Sequence, residues 1–314
     1  MRVSTNTIYD QSSSKLSDLQ SKMNTTQAQI SAQKRILTPS DDPVASARVL
    51  EVTQSQSVNA QFVINRQYAK DSLVSVDSAL SSVTDLLQDV KTLAISAGNP
   101  NLSDANRAAM ATTVRARMSE LVGLANATDG TGKYLFAGYQ TTTAPFVEQA
   151  VGTSPPVSYV GDQGQRQIQV DNNRQLAISE SGQAIFQTNS QDIFKTLNDF
   201  ATLLDTPSAV TTITPPNTVN DLTVGVQAAN SKIAASLDNV LTARASTGSK
   251  LNELDALDIY GADRDLQYSI TLSNLQDLDY VKAISDFTKQ KTTLEAAQQS
   301  FVKLANLSLF NYIN

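Results

Sequence analysis

The chain has 314 residues, with 24 Lys and Arg against 30 Asp and Glu for a net charge of −6, and it contains no Cys, His or Trp. That composition offers no thiolate nucleophile, no imidazole base and no zinc site of the common kinds, and no basic block that would neutralise nucleic-acid phosphates. No uninterrupted apolar run exceeds four residues, Tyr134–Ala137 being one, and Met1–Asn6 lacks an apolar core, so neither a bilayer span nor a cleavable signal peptide is read.

Taken in chain order, the first forty residues carry a thin helical rhythm. Tyr9, Leu16, Leu19, Met23, Ile30 and Leu37 fall on seam positions, with Ser12, Thr26 and Gln33 filling the others. Ser40-Asp41-Asp42-Pro43 reads as a helix start. Asp42 can cap exposed amides, and Pro43 suits the first helical position, where its missing N–H costs nothing. Ala69, Leu73, Val76, Leu80, Val83, Leu87, Val90, Ala94 and Ala97 then alternate spacings of four and three. This is the seam of helices packed nearly parallel along their length, and Gly98-Asn99-Pro100 stops it. A helix over 43–97 spans about 80 Å. The next helix is capped by Ser103, carries Met110, Val114, Met118, Leu121 and Ala125 on one face, and is expected to end near Asp129-Gly130.

The period changes next. Tyr134–Tyr139 between glycines reads as a short strand. Val157 and Tyr159, then Arg166, Ile168 and Val170 across Gly161-Asp162-Gln163-Gly164, read as a β-hairpin, with Leu176–Ile178 a third strand. A short helix presents Ile193, Leu197, Phe200 and Leu204. The proline-marked stretch Thr206–Asn220 is a linker.

Helical spacing returns with Ile233, Leu237, Val240, Leu251 and Leu254, broken by Arg244 and Thr247. Two readings of the break stand: drift of the helix phase to the surface, or a register-setting pair with an acidic neighbour. Gly261-Ala262-Asp263 punctuates this helix. The last segment sets Tyr280, Ala283, Phe287, Gln290, Leu294, Ala297, Phe301, Leu304 and Ser308 in heptad register. The closing Leu307–Asn314 stretch, with Leu309 and Phe310, either packs on its own N-terminal partner or is covered by another chain.

The fold class is therefore mainly α: long antiparallel helical rods or a coiled coil formed by the N- and C-terminal segments, with a small β-rich insertion in the middle. Three domains are expected: a terminal coiled-coil assembly domain (1–42 with 263–314), a helical rod (43–138 with 190–262) and a β-rich outer domain (139–189). The terminal seams are sparse in apolar side chains for the length of backbone they must order. Neighbouring subunits are expected to complete their burial.

Carboxylates are the remaining catalytic material. Asp41-Asp42 ahead of Pro43 reads as a helix start before an acid/base dyad, and Asp255, Asp258, Asp263 and Asp265 lack the spacing of a calcium loop. Gly161–Gly164 fits a hairpin turn better than a phosphate cradle. No enzyme, metal or cofactor is expected.

Four stretches together resemble the flagellin superfamily, and within it the branch at the junction of hook and filament. They are Met1–Thr5 leading to Gln27–Ile30; Lys34-Arg35-Ile36-Leu37-Thr38-Pro39-Ser40-Asp41-Asp42-Pro43-Val44-Ala45; Gly132–Gln140 before Pro145-Phe146; and Thr293–Phe301 leading to Leu307–Phe310. Pro39, Pro43 and Phe310 favour the junction branch over filament flagellins. Ala32-Gln33 stands where that branch often has Ser-Gly, and the loss of glycine predicts a continuous helix there. The resemblance implies a secreted structural subunit of the bacterial flagellum, exported without a cleaved signal peptide by the type III pathway. The implied partners are copies of itself in a ring or helical assembly, the first hook-associated junction protein, flagellin, and an export chaperone on the C-terminal helix, with no nucleic acid and no membrane. Leu16, Leu19, Met23, Ile30, Leu37, Phe287, Leu294, Phe301, Leu304, Leu309 and Phe310 would form the assembly seam, and Pro39, Ser40, Asp41, Asp42 and Pro43 the family's helix cap. The alternatives are a minor filament flagellin and an exported coiled-coil adhesin or binding module.

Overall fold

Asp42 and Pro43 start the long helix as their chemistry requires: Asp42 Oδ1 accepts the Ala45 N–H at 3.0 Å, and helix α2 runs Pro43–Ala97. It comes after α1, Thr5–Ala32, and precedes α3, Asp104–Ala125. The computed structural model describes residues 5–150, 152–188, 191–206 and 219–310. The side chains of Leu304, Leu309 and Phe310 lie outside the described set, as do residues 207–218 of the expected linker. Later elements are β1 (Phe146–Glu148), β2 (Val157–Tyr159), β3 (Gln167–Asp171), β4 (Arg174–Ala177), α4 (Gly182–Phe186), β5 (Gln187–Thr188), β6 (Gln191–Asp192), α5 (Ile193–Asp205), α6 (Val219–Gln276) and α7 (Tyr280–Phe310). The chain is mainly helical with a few small antiparallel strand pairs, the fold class expected. None of the described helices is long and apolar enough to cross a membrane.

Two compact units form: Met1–Ala60 with Ala262–Asn314, and Gln61–Gly261. The second holds most of the described core. The whole seam from Ala69 to Ala97 is buried, together with Val114, Leu121 and Ala125 of α3, Ile193, Leu197, Phe200 and Leu204 of α5, and Ile233, Leu237 and Val240 of α6. Ser103 caps α3 by accepting the Asn106 N–H at 3.2 Å, and Asp192 caps α5 through Lys195 N at 2.9 Å. Phe136, Phe146, Phe186 and Phe194 pack ring on ring at centroid distances of 5.3–6.2 Å under the strands. A smaller cluster, Ala69, Leu73, Val170, Leu176, Ile178 and Leu254, seats the β3–β4 ribbon against α2 and α6.

Several expectations are corrected. Helix α3 stops at Ala125, because the Asn126 amide exchanges two hydrogen bonds with the Phe146 backbone (2.8 and 3.0 Å). Tyr134–Tyr139 is a loop, buried from Leu135 to Gly138, with isolated bridges at Tyr134 and Ala137. Gly138, at φ +68°, sits so close to Asp162 that a Cβ could not fit. The expected hairpin across Gly161–Gly164 does not form: β2 pairs with β1 and β3 pairs with β4, both antiparallel. The Asp162 carboxylate accepts N–H groups from Tyr139 (2.9 and 3.0 Å) and Gly164 (2.7 Å), turning residues 161–164 onto the earlier loop.

Helix α6 also runs unbroken through Gly261–Asp263. Gly261 makes room for Arg66, whose guanidinium lies where a Cβ would project. Arg66 is 1% exposed; its Nε donates to Asp258 Oδ1 at 2.5 Å and its Nη1 to the Val170 carbonyl at 3.0 Å. The seam break at Thr247 is not drift to the surface. Thr247 is fully buried, its hydroxyl returned to the Ala243 carbonyl at 3.0 Å, and Arg244 reaches Asp77 at 3.2 Å.

Candidate assembly surface

Helices α1 and α7 pair within the first unit, running antiparallel, since Tyr9 stacks on Phe301 at 5.0 Å while the Tyr280 hydroxyl reaches the Ile30 carbonyl at 3.5 Å. Their seam is only partly closed. Thr26, Ala283 and Leu294 are buried, whereas Leu16, Leu19, Met23, Ile30, Phe287, Ala297 and Phe301 are half-buried. A gap of 320 Å³ remains between the helices, lined by Gln11, Ser12, Lys15, Leu16, Ala297, Ser300 and Phe301. Gln290, at a seam position, has a buried Oε1 without a hydrogen-bond partner among the described residues. Outside the seam, Val281 (83% exposed), Ile284 and Val302 present apolar surface to water. In this unit the described buried hydrophobic residues are Ala45, Ala283 and Leu294. Two helices of 28 and 31 residues owe most of their stability to packing rather than propensity, and here the packing is unfinished.

Helix α1 ends at Ala32 and does not continue through Gln33, contrary to expectation. Gln33 takes φ +60°, the left-handed region that favours glycine. Arg35 holds the turn in place. It donates its backbone N–H to the Gln276 carbonyl and its Nη2 to the Leu275 carbonyl, each at 2.8 Å. Two of the last carbonyls of α6 are thereby satisfied, with a cation at the negative end of the helix. Its Nη1 reaches Asp42 Oδ2 at 3.2 Å, the carboxylate whose other oxygen caps α2. The Leu278 N–H donates to the Gln33 carbonyl at 3.3 Å, and the Gln29 amide to the Arg35 carbonyl at 2.7 Å. Asp41 Oδ2 accepts the N–H groups of Leu37 (2.9 Å) and Thr38 (2.8 Å). Residues 33–42 are therefore a joint linking the end of α1, the start of α2 and the end of α6.

The carboxyl groups of the joint titrate below their ordinary value of 3.8. For Asp41 the cause is the hydrogen bonds from Thr38 and Leu37; for Asp42 it is the Ala45 N–H, then Arg35. Neither is arranged as a proton donor. Of the residues singled out in the sequence, Asp41, Asp42 and Pro43 meet in this joint. Pro39 and Ser40 are exposed within it, with Ser40 Oγ 2.7 Å from Thr38 Oγ1. Leu37 is 37% exposed and lies past the end of α1, so it joins the turn and not the helical seam. Sequence reasoning does not distinguish Arg35 from the rest of its motif; its position, just beyond a helix end and seven residues before an acidic cap, is the only local signal. The carboxylates Asp255, Asp258 and Asp265 are engaged with Lys70 (2.7 Å), Arg66 (2.5 Å) and Gln56 (3.0 Å) respectively.

Residues 3–141 match the family model for the bacterial flagellin N-terminal helical region. The flagellar hook-associated protein 3 of Salmonella typhimurium is 34% identical over 99% of this chain and 99% of its own length, and that of Escherichia coli K12 is also 34% identical with the same coverage. Among solved structures, a putative flagellar hook-associated protein from Vibrio parahaemolyticus shares the fold at a TM-score of 0.65 and 23% identity, over 76% of this chain and 100% of that one. The flagellar junction protein FlgL from Legionella pneumophila aligns at a TM-score of 0.62 and 18% identity, over 73% of this chain and 100% of that one. Sequence identity along essentially the whole length, in a chain whose helical joint is built from the very residues that suggested the superfamily, places this protein in the flagellar hook-associated protein 3 family.

Proposed function

We propose that this chain is a structural subunit of the bacterial flagellum, forming the junction ring between the hook and the flagellin filament. The observation that carries the reading is the half-closed α1–α7 seam, which leaves Leu16, Leu19, Met23, Phe287 and Phe301 half-buried. Such a surface gains stability only when further apolar surface covers it. Adjacent copies supply that cover around the ring, with the first hook-associated junction protein on one side and flagellin on the other. A chaperone would hold the α7 face during type III export to the cell exterior. In this arrangement residues 1–42 with 263–314 are the assembly domain, 43–138 with 190–262 the rod, and 139–189 the outer domain. No enzymatic role is assigned. The relatives' names favour the junction position over a minor filament flagellin or an adhesin.

The test is genetic and biochemical together. A strain lacking the chain is expected to make hooks without attached filaments, and complementation by a chain lacking its last ~30 residues, about four heptads of seam, is expected to fail. Normal filaments on the deletion strain would refute the junction reading. Normal incorporation of the truncated chain would refute the role given to Phe287, Leu294, Phe301 and Leu304.

A further inference from the structure

Within the second unit, a cleft of 380 Å³ is lined by Gln163, Gln165, Ser181, Gln183, Ala184, Gln187 and Thr188. Its volume falls at the small end of the roughly 300–1,000 Å³ typical of ligand sites. The lining is neutral and almost wholly amide and hydroxyl. Charged groups beside it are already matched: Glu180 accepts from Gln165 Nε2 at 3.1 Å and pairs with Lys250. An anionic ligand would find no cation in the lining, and an apolar one would find only Ala184.

The hydrogen bonds within the lining decide what it leaves open. Gln163 Nε2 donates to Gln183 Oε1 at 2.7 Å, so the Gln183 amino group points both its hydrogens elsewhere while Gln163 keeps its acceptor. Gln187 spends its amino group on the Val157 carbonyl (2.8 Å) and Asp192 (2.9 Å), leaving Oε1 as an acceptor. Gln165 is likewise left with Oε1. The result is amide acceptors on Gln163, Gln165 and Gln187 beside unspent amide hydrogens on Gln163, Gln165 and Gln183, the mixed complement of a neutral ligand rich in hydroxyl groups. Beside these amides stands Tyr139, 65% exposed. Its hydroxyl donates to the Gln165 carbonyl at 3.0 Å, and its ring packs on Gly164, where a Cβ would occupy the same space. The ring covers Gly164 from outside the cleft, whose lining does not include it.

We propose that this cleft binds a neutral carbohydrate, with the Gln163–Gln183 pair, Gln165 and Gln187 bonding ring hydroxyls. The site is separate from the α1–α7 surface and does not depend on the junction role. Saturation-transfer NMR on the full chain tests it, using glucose, galactose, N-acetylglucosamine and maltose as probes with glucuronate as the charged control. The expected result is saturable millimolar binding of at least one neutral sugar, weakened about tenfold by Gln183→Ala and by Gln163→Ala, and absent for glucuronate; tenfold corresponds to about 1.4 kcal/mol. Should Gln183→Ala disturb folding by circular dichroism, Gln163→Ala still decides the outcome. No binding of any neutral sugar, equal binding of glucuronate, or affinity unmoved by Gln183→Ala would each overturn the proposal.

Discussion

Replacing Gly261 by alanine puts the relation between Arg66 and α6 to a direct test, because the same change elsewhere in that helix should act with the opposite sign. In an exposed helix interior, Gly→Ala gains about 0.8–1 kcal/mol from backbone entropy alone. At Gly248 a new Cβ meets nothing within 4 Å, so that full gain is expected. At Gly261 the Cβ would occupy the space of the Arg66 guanidinium, and Arg66, 1% exposed and bonded to Asp258 and Val170, must shift to admit it. Moving it strains or breaks the 3.0 Å bond to the Val170 carbonyl. Hydrogen bonds from a charged donor contribute about 1.5–3 kcal/mol, so after subtracting the propensity gain the net loss is about 0.5–2 kcal/mol. Urea unfolding followed by a probe in the second unit measures both variants against the parent. In an Arg66→Met background the Gly261→Ala penalty should vanish, the coupling that a double-mutant cycle isolates. Stabilisation by Gly261→Ala equal to that by Gly248→Ala would refute the reasoning.

At Gln33, substitution by glycine relieves a left-handed residue that costs about 1–2 kcal/mol with a side chain, less the extra unfolded-state entropy of glycine. The joint should gain up to about 1 kcal/mol, read as slower amide exchange at Arg35 and Leu278; faster exchange would contradict the assigned conformation. The carboxylates of the same joint give a pH dependence of known sign. Since Asp41 and Asp42 titrate below 3.8 when folded, their contribution is complete above that unfolded value and is lost as pH falls through the lower folded values. NMR of the Leu37, Thr38 and Ala45 amides should show the joint loosening only at pH values below 3.8, with the change diminished in Asp41→Asn and Asp42→Asn; amides that shift at or above 3.8 would argue against these hydrogen bonds.

What could be read from the sequence divides along the range of the interactions involved. The bounds of α2 arise from Asp42, Pro43 and Gly98-Asn99-Pro100, all signals within a turn of the event they cause. Its seam from Ala69 to Ala97 is legible because heptad spacing reports burial directly. Strand partners are not local. Val157 and Tyr159 alternate correctly for a strand, yet nothing in their neighbourhood reveals that Phe146–Glu148 supplies the partner, since Asp162 diverts the loop that would have closed the other hairpin. Gly261 misleads for the same reason: alone it resembles a break, and only Arg66, far away in sequence, explains it. At Gln33 a propensity argument fails because Arg35 bonds to the end of α6 and holds the turn regardless of side chain. Within the assembly surface, period alone puts Leu16, Met23, Leu294 and Phe301 on their helices, whereas the openness of the seam between them emerges only from the packing.

Hydrogen exchange on the isolated chain at low concentration, compared with the same chain in assembled flagella, measures the unfinished terminal seam most directly. The account predicts that amides of α1 and α7 exchange near the rate of fraying helices while those around Val76–Val90 of α2 are strongly protected, and that assembly slows the first group alone. Terminal helices as protected as α2 in the solitary chain would contradict it.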